Sequence, residues 1–175
     1  PVEIYTDGSA GAGKAGYGFV VVRDGTEVAC ESGPVRYGAR TNNVGELLGI
    51  QKAVEWATAA KVSVTIRYDS KYAEAHARGR SRVRKNAEQV SALRGAVRAA
   101  KGVIKVGWKH VKGHSGDAWN DRADALAKQG AEKCSGTGGQ ARRSQGNPPP
   151  GRGEGRKWGE GAPREKGPPP QVAGC

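Results

Sequence analysis

Methionine is absent from this 175-residue chain, and cysteine nearly so, at Cys30, Cys134 and Cys175 only. Three scattered thiols argue against a disulfide framework or a cysteine-based zinc site and point to a reducing compartment, the cytosol. The absence of methionine with Pro1 in first place suits removal of an initiator before a small residue, and a trimmed start would look the same. Long apolar runs are missing too. Nothing approaches the roughly 18 residues of a membrane span, and no basic stretch followed by an apolar segment opens the chain. A soluble cytoplasmic protein is expected, acting as a monomer without membrane contact or an obligate protein partner. Acidic residues are few beside basic ones, 17 against 29, which leaves a formal charge of +12. Such an excess attracts polyanions over long range, nucleic acid first among them, although net charge by itself also serves solubility.

Composition divides the chain. Residues 134–175 contain 11 Gly and 7 Pro, with Pro148-Pro149-Pro150 and Pro168-Pro169-Pro170, and carry a net charge of +4. A segment of that kind cannot bury enough apolar surface to offset the ordering of its backbone, so it is expected to be a disordered basic tail. Residues 1–133 keep a charge of +8 and form the expected domain.

Within that domain the apolar period changes repeatedly. Strands are expected over Val2–Thr6, Gly16–Arg23 and Glu27–Ser32, with Asp24-Gly25 as a hairpin signal between the last two. A helix follows over Thr41–Ala60, a strand over Val62–Tyr68, a short helix over Ser70–Ala77 and another over Ala87–Ala100. Val103–Lys109 makes a fifth strand and Ala118–Glu132 a final helix. The order β-β-β-α-β-α-α-β-α implies an α/β domain with a five-stranded mixed sheet flanked by helices.

Four acids stand out. Asp7 and Asp69 each directly follow an expected strand, and ligands in open α/β sheets collect beyond the carboxyl ends of strands. Either alone could equally be a turn residue or a helix cap. Glu46 lines up with Ile50, Ala53 and Ala57 on the core-facing stripe of its helix, and a buried carboxylate needs a cation or hydrogen-bond donors. A first-turn Glu at the rim of the helix is the alternative. On the last helix the packing face is Trp119, Ala123, Leu126, Ala127 and Gly130. At about 100° per residue, Asp124 lies at the margin of that face and Asp121 points away from it. A solvated flank charge fits Asp124 as well. Acids from four segments with no cysteine nearby suit a hard cation, Mg²⁺ first and Mn²⁺ next.

Taken in order, Tyr5-Thr6-Asp7-Gly8-Ser9, Thr41-Asn42-Asn43-Val44-Gly45-Glu46-Leu47, Tyr68-Asp69-Ser70, and Gly113-His114-Ser115-Gly116 through Asn120-Asp121-Arg122-Ala123-Asp124 resemble the type 1 ribonuclease H family. The resemblance spans about residues 2–133 and rests on four short motifs in the right order. It implies a ribonuclease H-like fold and an endoribonuclease that cuts the RNA strand of RNA–DNA hybrids, leaving 5′-phosphate and 3′-hydroxyl ends. It implies Asp7, Glu46, Asp69 and Asp124 as metal ligands, with His114 assisting proton transfer and product departure. It further implies that Gly8, Ser9, Asn42, Asn43 and Glu46 read the RNA strand through its 2′-hydroxyls, while Thr41 and Asn86, supported by Arg40, hold a DNA phosphate. Helix capping would explain one of Thr41, Asn42 and Asn43 equally well.

The chain also departs from the family. Its loop Ala10–Ala15 is short, Lys71 stands where Gln is frequent, and the basic protrusion of some members shrinks to Arg78-Gly79-Arg80-Ser81-Arg82-Val83-Arg84-Lys85. An equivalent domain cut from a retroelement polyprotein would share the chemistry. A catalytically silent hybrid-binding module would not need all four acids.

Overall fold

The computed structural model describes residues 1–133; the expected disordered tail, 134–175, lies outside the described residues. Nine elements follow one another as β1 (Val2–Gly11), β2 (Lys14–Arg23), β3 (Thr26–Pro34), α1 (Asn42–Ala60), β4 (Val64–Tyr68), α2 (Lys71–Ala77), α3 (Ala87–Ala100), β5 (Val106–His110) and α4 (Ala118–Glu132). This is the expected order, and the sheet is five-stranded and mixed, with spatial order β3-β2-β1-β4-β5. Strands β1, β2 and β3 pair antiparallel as two consecutive hairpins, whereas β4 joins β1 and β5 joins β4 in parallel.

Both hairpin turns are two-residue turns with positive φ throughout, Ala12-Gly13 and Asp24-Gly25. That geometry matches the twist of the flanking strands and favours Gly and Asp. The expected loop at Ala10–Ala15 is therefore only a turn, because Gly11 and Lys14 already pair across it.

The centre of the sheet is covered on both faces. Ile4, Phe19 and Val21 pack with Leu47, Ile50 and Val54 of α1 and Leu93 of α3, while Tyr5, Val20 and Val22 pack with Ala123 and Leu126 of α4. Alternate residues of β2 thus enter opposite layers, which is why its sequence reads as a nearly continuous apolar run. Cys30 on β3 is buried, packed with Tyr5, Val20 and Val22.

Candidate active site

The parallel register places Tyr5 opposite Arg67, so Asp7 and Asp69, each two residues further on, come level on neighbouring strands. Asp69 follows β4 directly, as expected. Asp7 instead lies inside β1, opposite Gly18 of β2, and this corrects its placement after the strand. Strand β1 loses β4 as a partner beyond Tyr5 yet keeps β2 as far as Gly11, so the glycines beyond Asp7 are strand residues rather than turn signals.

Close packing explains the small residues. A Cβ on Gly8 would stand 2.2 Å from the backbone nitrogen of Glu46, and one on Gly45 would stand 2.5 Å from the Gly16 carbonyl. Only glycine at these two positions lets the first turn of α1 rest on the hairpin, and that contact brings Glu46 to Asp7. Thr41 caps the helix, its Oγ1 accepting a hydrogen bond from the Val44 N–H at 3.3 Å. Glu46, Ile50, Ala53 and Ala57 are all buried, as their spacing requires.

One carboxylate oxygen from each of Asp7, Glu46 and Asp69 lies within 4.8 Å of the others. Asp7 and Glu46 are only 6% and 7% exposed. Burial pushes Asp7 up to about 6, with the charges of Asp69 and Asp124 adding to the rise, against hydrogen bonds from Glu46 and from the Gly8 N–H at 2.8 Å. Glu46 is raised well above the ordinary range by burial and by the charges of Asp7 and Asp69. Asp69 is raised by burial, partly offset by hydrogen bonds and by the nearby His114 and His110.

Asp124 stands outside this group of three. It is half-buried on α4, its Oδ2 is 2.7 Å from Lys128 Nζ, and its charge still reaches Asp7. Asp121 is exposed, as the helical geometry requires, and Asp117 caps α4 by accepting from the N–H groups of Trp119 and Asn120. His114 is exposed on the loop between β5 and α4 with φ at 54°, next to Gly113, where a Cβ would lie 3.0 Å from Asp69 Oδ2.

The remaining expected residues lie at the starts of α1 and α3 and on β1. Asn43 and Asn86 line one cavity with Arg82, Arg84 and Lys85. Thr41 is occupied as a cap, Asn42 is exposed beside it, Ser9 is half-buried on β1, and Arg40 reaches the Gly13 carbonyl at 3.5 Å. Asn86 begins α3 in the left-handed conformation without capping it, and its side chain donates to Tyr72 Oη at 3.1 Å. A larger cavity of about 720 Å³, lined by Tyr17, Tyr37, Leu48 and Lys133 among others, contains none of the acids.

Two residues near the acids were missed in the sequence. His110 ends β5 with Nε2 3.3 Å from the Asp69 carbonyl oxygen, a neighbour that only the β4–β5 pairing reveals. Asn120 is buried, and its Oδ1 has no hydrogen-bond partner among the described residues. Its spacing to Ala123, Ala127 and Ala131 could have placed it on the packing face.

A family model described as RNase H matches residues 1–132. The chain is 35% identical over 152 residues to a ribonuclease H of Verminephrobacter eiseniae, covering 78% of this chain and 94% of that protein. It is 36% identical over 140 residues to a ribonuclease H of Parvibaculum lavamentivorans, covering 74% and 91%. Among solved structures, RNase H1 of Halobacterium salinarum is similar with a TM-score of 0.60 at 26% identity, covering 75% of this chain and 98% of that one. LC11-RNase H1, solved in complex with an RNA/DNA hybrid, shares the fold with a TM-score of 0.62 at 23% identity, covering 77% and 99%.

Proposed function

The chain belongs to the RNase H family, and on that premise we propose that it hydrolyses the RNA strand of RNA–DNA hybrids at Asp7, Glu46, Asp69 and Asp124. The carrying observation is the group of three carboxylates within 4.8 Å, set in a chain whose formal charge is +12. The basic surface attracts the phosphate backbone, and the acidic point is where the chemistry is done.

The family depends on divalent metal, and the side chains fit one. Glu46 Oε2 and Asp69 Oδ1 are buried acceptors without hydrogen-bond partners among the described residues. Burial raises the proton affinity of all three acids, and neighbouring carboxylate charge adds to it at Asp7 and Glu46, a combination that a bound cation would relieve. An all-oxygen donor set favours Mg²⁺, with Mn²⁺ second. When bound, the metal supplies an activated water and neutralises charge on the leaving oxygen.

The chain's own residues do the rest. Two adjacent strands fix Asp7 and Asp69, the glycine contact fixes Glu46, and Asp124 adds the fourth carboxylate from α4. His114, exposed next to Asp69, passes a proton to the 3′ oxygen as the P–O3′ bond breaks, leaving a 5′-phosphate and a 3′-hydroxyl. Ser9, Asn42 and Asn43 read the 2′-hydroxyls of the RNA strand, with Gly8 letting the backbone approach. Arg40, Thr41 and Asn86 hold a phosphate of the DNA strand.

The test is to incubate the protein with an RNA–DNA hybrid, duplex DNA and duplex RNA in Mg²⁺, Mn²⁺ or EDTA. Cleavage of the hybrid alone, requiring metal, is expected. Cleavage of duplex DNA but not of hybrid, or activity that persists in EDTA, would overturn the reading.

A further inference from the structure

Glu74 on α2 is a buried carboxylate outside the acidic centre, only 2% exposed. Its two oxygens are taken by the segment that follows: Arg78 Nη1 donates to Oε1 at 2.9 Å, and Arg80 Nη2 donates to Oε2. A carboxylate at this depth is costly to the fold unless its charge is matched. Arg94 of α3 holds the same segment from the other side, with Nε donating to the His76 carbonyl at 3.0 Å and Nη2 to the Ser81 carbonyl at 2.9 Å. Val83 packs against the main core. The basic run is therefore pinned at residues 78, 80, 81 and 83.

What the pins leave outside is ordered. Arg82, Arg84 and Lys85 are exposed, and none forms an ion pair with a carboxylate among the described residues. With Asn43, His76 and Asn86 they line a cavity of about 430 Å³. His76 is 2% exposed, and its Nδ1 has no hydrogen-bond partner among the described residues. Three unpaired cations around one cavity, with Asn43 and Asn86 also lining it, are the chemistry of a phosphate site.

We propose that Glu74 is a positioning residue for nucleic-acid binding: by clamping Arg78 and Arg80 it holds Arg82, Arg84 and Lys85 around a preformed site for a backbone phosphate. The proposal rests on hybrid nucleic acid being the partner. Of the five positive charges in the run, two share the Glu74 carboxylate and three have no carboxylate partner among the described residues.

Glu74→Gln decides between two accounts that differ in sign. If Glu74 only neutralises charge, releasing Arg78 and Arg80 adds free cations, so hybrid binding tightens and its salt dependence steepens. If Glu74 positions the run, Kd for hybrid in EDTA rises about fivefold and the slope of log Kd against log salt becomes shallower. In Mg²⁺, KM then rises by a similar factor while kcat at saturating hybrid is kept. An unchanged or lowered Kd overturns the proposal. Because Glu74→Gln leaves two arginines unmatched and lowers stability, Arg94→Lys is the second variant. It keeps the charge but cannot make the paired bonds to His76 and Ser81, and the same rise in Kd is expected. A Kd for Arg94→Lys equal to that of the unaltered chain would also overturn the clamp. Binding in EDTA is read without cleavage, so failure of the clamp and failure of the proposed hydrolysis are separate results.

Discussion

Asp7 lies against two other carboxylates, and burial with the charge of Asp69 raises it to about 6 from an ordinary 3.8. A folded-state value above the unfolded one means that folding favours the protonated form. The stability this contributes is fully present below about pH 4 and is lost as pH rises through about 6. For Asp7 alone the loss is on the order of 3 kcal/mol, less a share that belongs to Glu46, which titrates with it. Asparagine cannot ionise, and its amide can donate to Glu46 where a second carboxylate would repel it. Asp7→Asn is therefore expected to melt roughly 5 °C above the unaltered chain at pH 8 in EDTA, with the gap closing toward pH 4. The same variant is expected to lose hybrid cleavage in Mg²⁺, since a metal ligand is gone. Calorimetric melting across pH checks the first part; an equal or lower Tm at pH 8 would mean that the three acids do not strain the metal-free protein.

The fit between α1 and β1 sets where Glu46 stands. A methyl group on Gly8 would lie 2.2 Å from the Glu46 nitrogen and 2.8 Å from the Asn42 carbonyl, both of them backbone atoms. Gly8→Ala must therefore push the first turn of α1 away. Overpacking of this kind costs about 1–3 kcal/mol. A displacement of about 1 Å at a catalytic group can lower the rate about 100-fold. Gly11→Ala, on the same strand with open space around its Cα, is expected to leave both Tm and rate unchanged. Equal single-turnover rates for the two variants would refute the packing argument. The elements themselves were legible: the helical stripe of Glu46 and the period-two strands gave their order and nearly their limits. The exact place of Asp7 was not, because the small residues after it serve a helix about 35 residues away and look like a turn when read locally. The depth of Glu74 was illegible for the same reason: its spacing to Arg78 is that of an ordinary helical ion pair, and its burial exists only in the packed structure.

Across the whole molecule, charge is distributed unevenly. Residues 1–133 carry a net charge of +8 and residues 134–175 a net charge of +4, while the acids meet at one point on the sheet. Phosphates are thus attracted over a wide surface, and only the scissile one needs to approach the carboxylates, where metal offsets the repulsion. Every strand and helix described ends by Glu132, so truncation after Lys133 removes charge and keeps every described strand and helix. The truncated protein is expected to keep kcat at saturating hybrid in low salt, because no group of the acidic centre is lost. Its KM should be higher than that of the full chain in low salt and rise more slowly as salt is added, so that the two converge as counterions screen both. In EDTA, the slope of log Kd against log salt should fall by roughly 0.9 for each phosphate contact the tail makes. Equal slopes for the two forms would show that residues 134–175 make no phosphate contacts. The basic domain, with Arg82, Arg84 and Lys85 held in place by Glu74, would then carry the electrostatic attraction by itself.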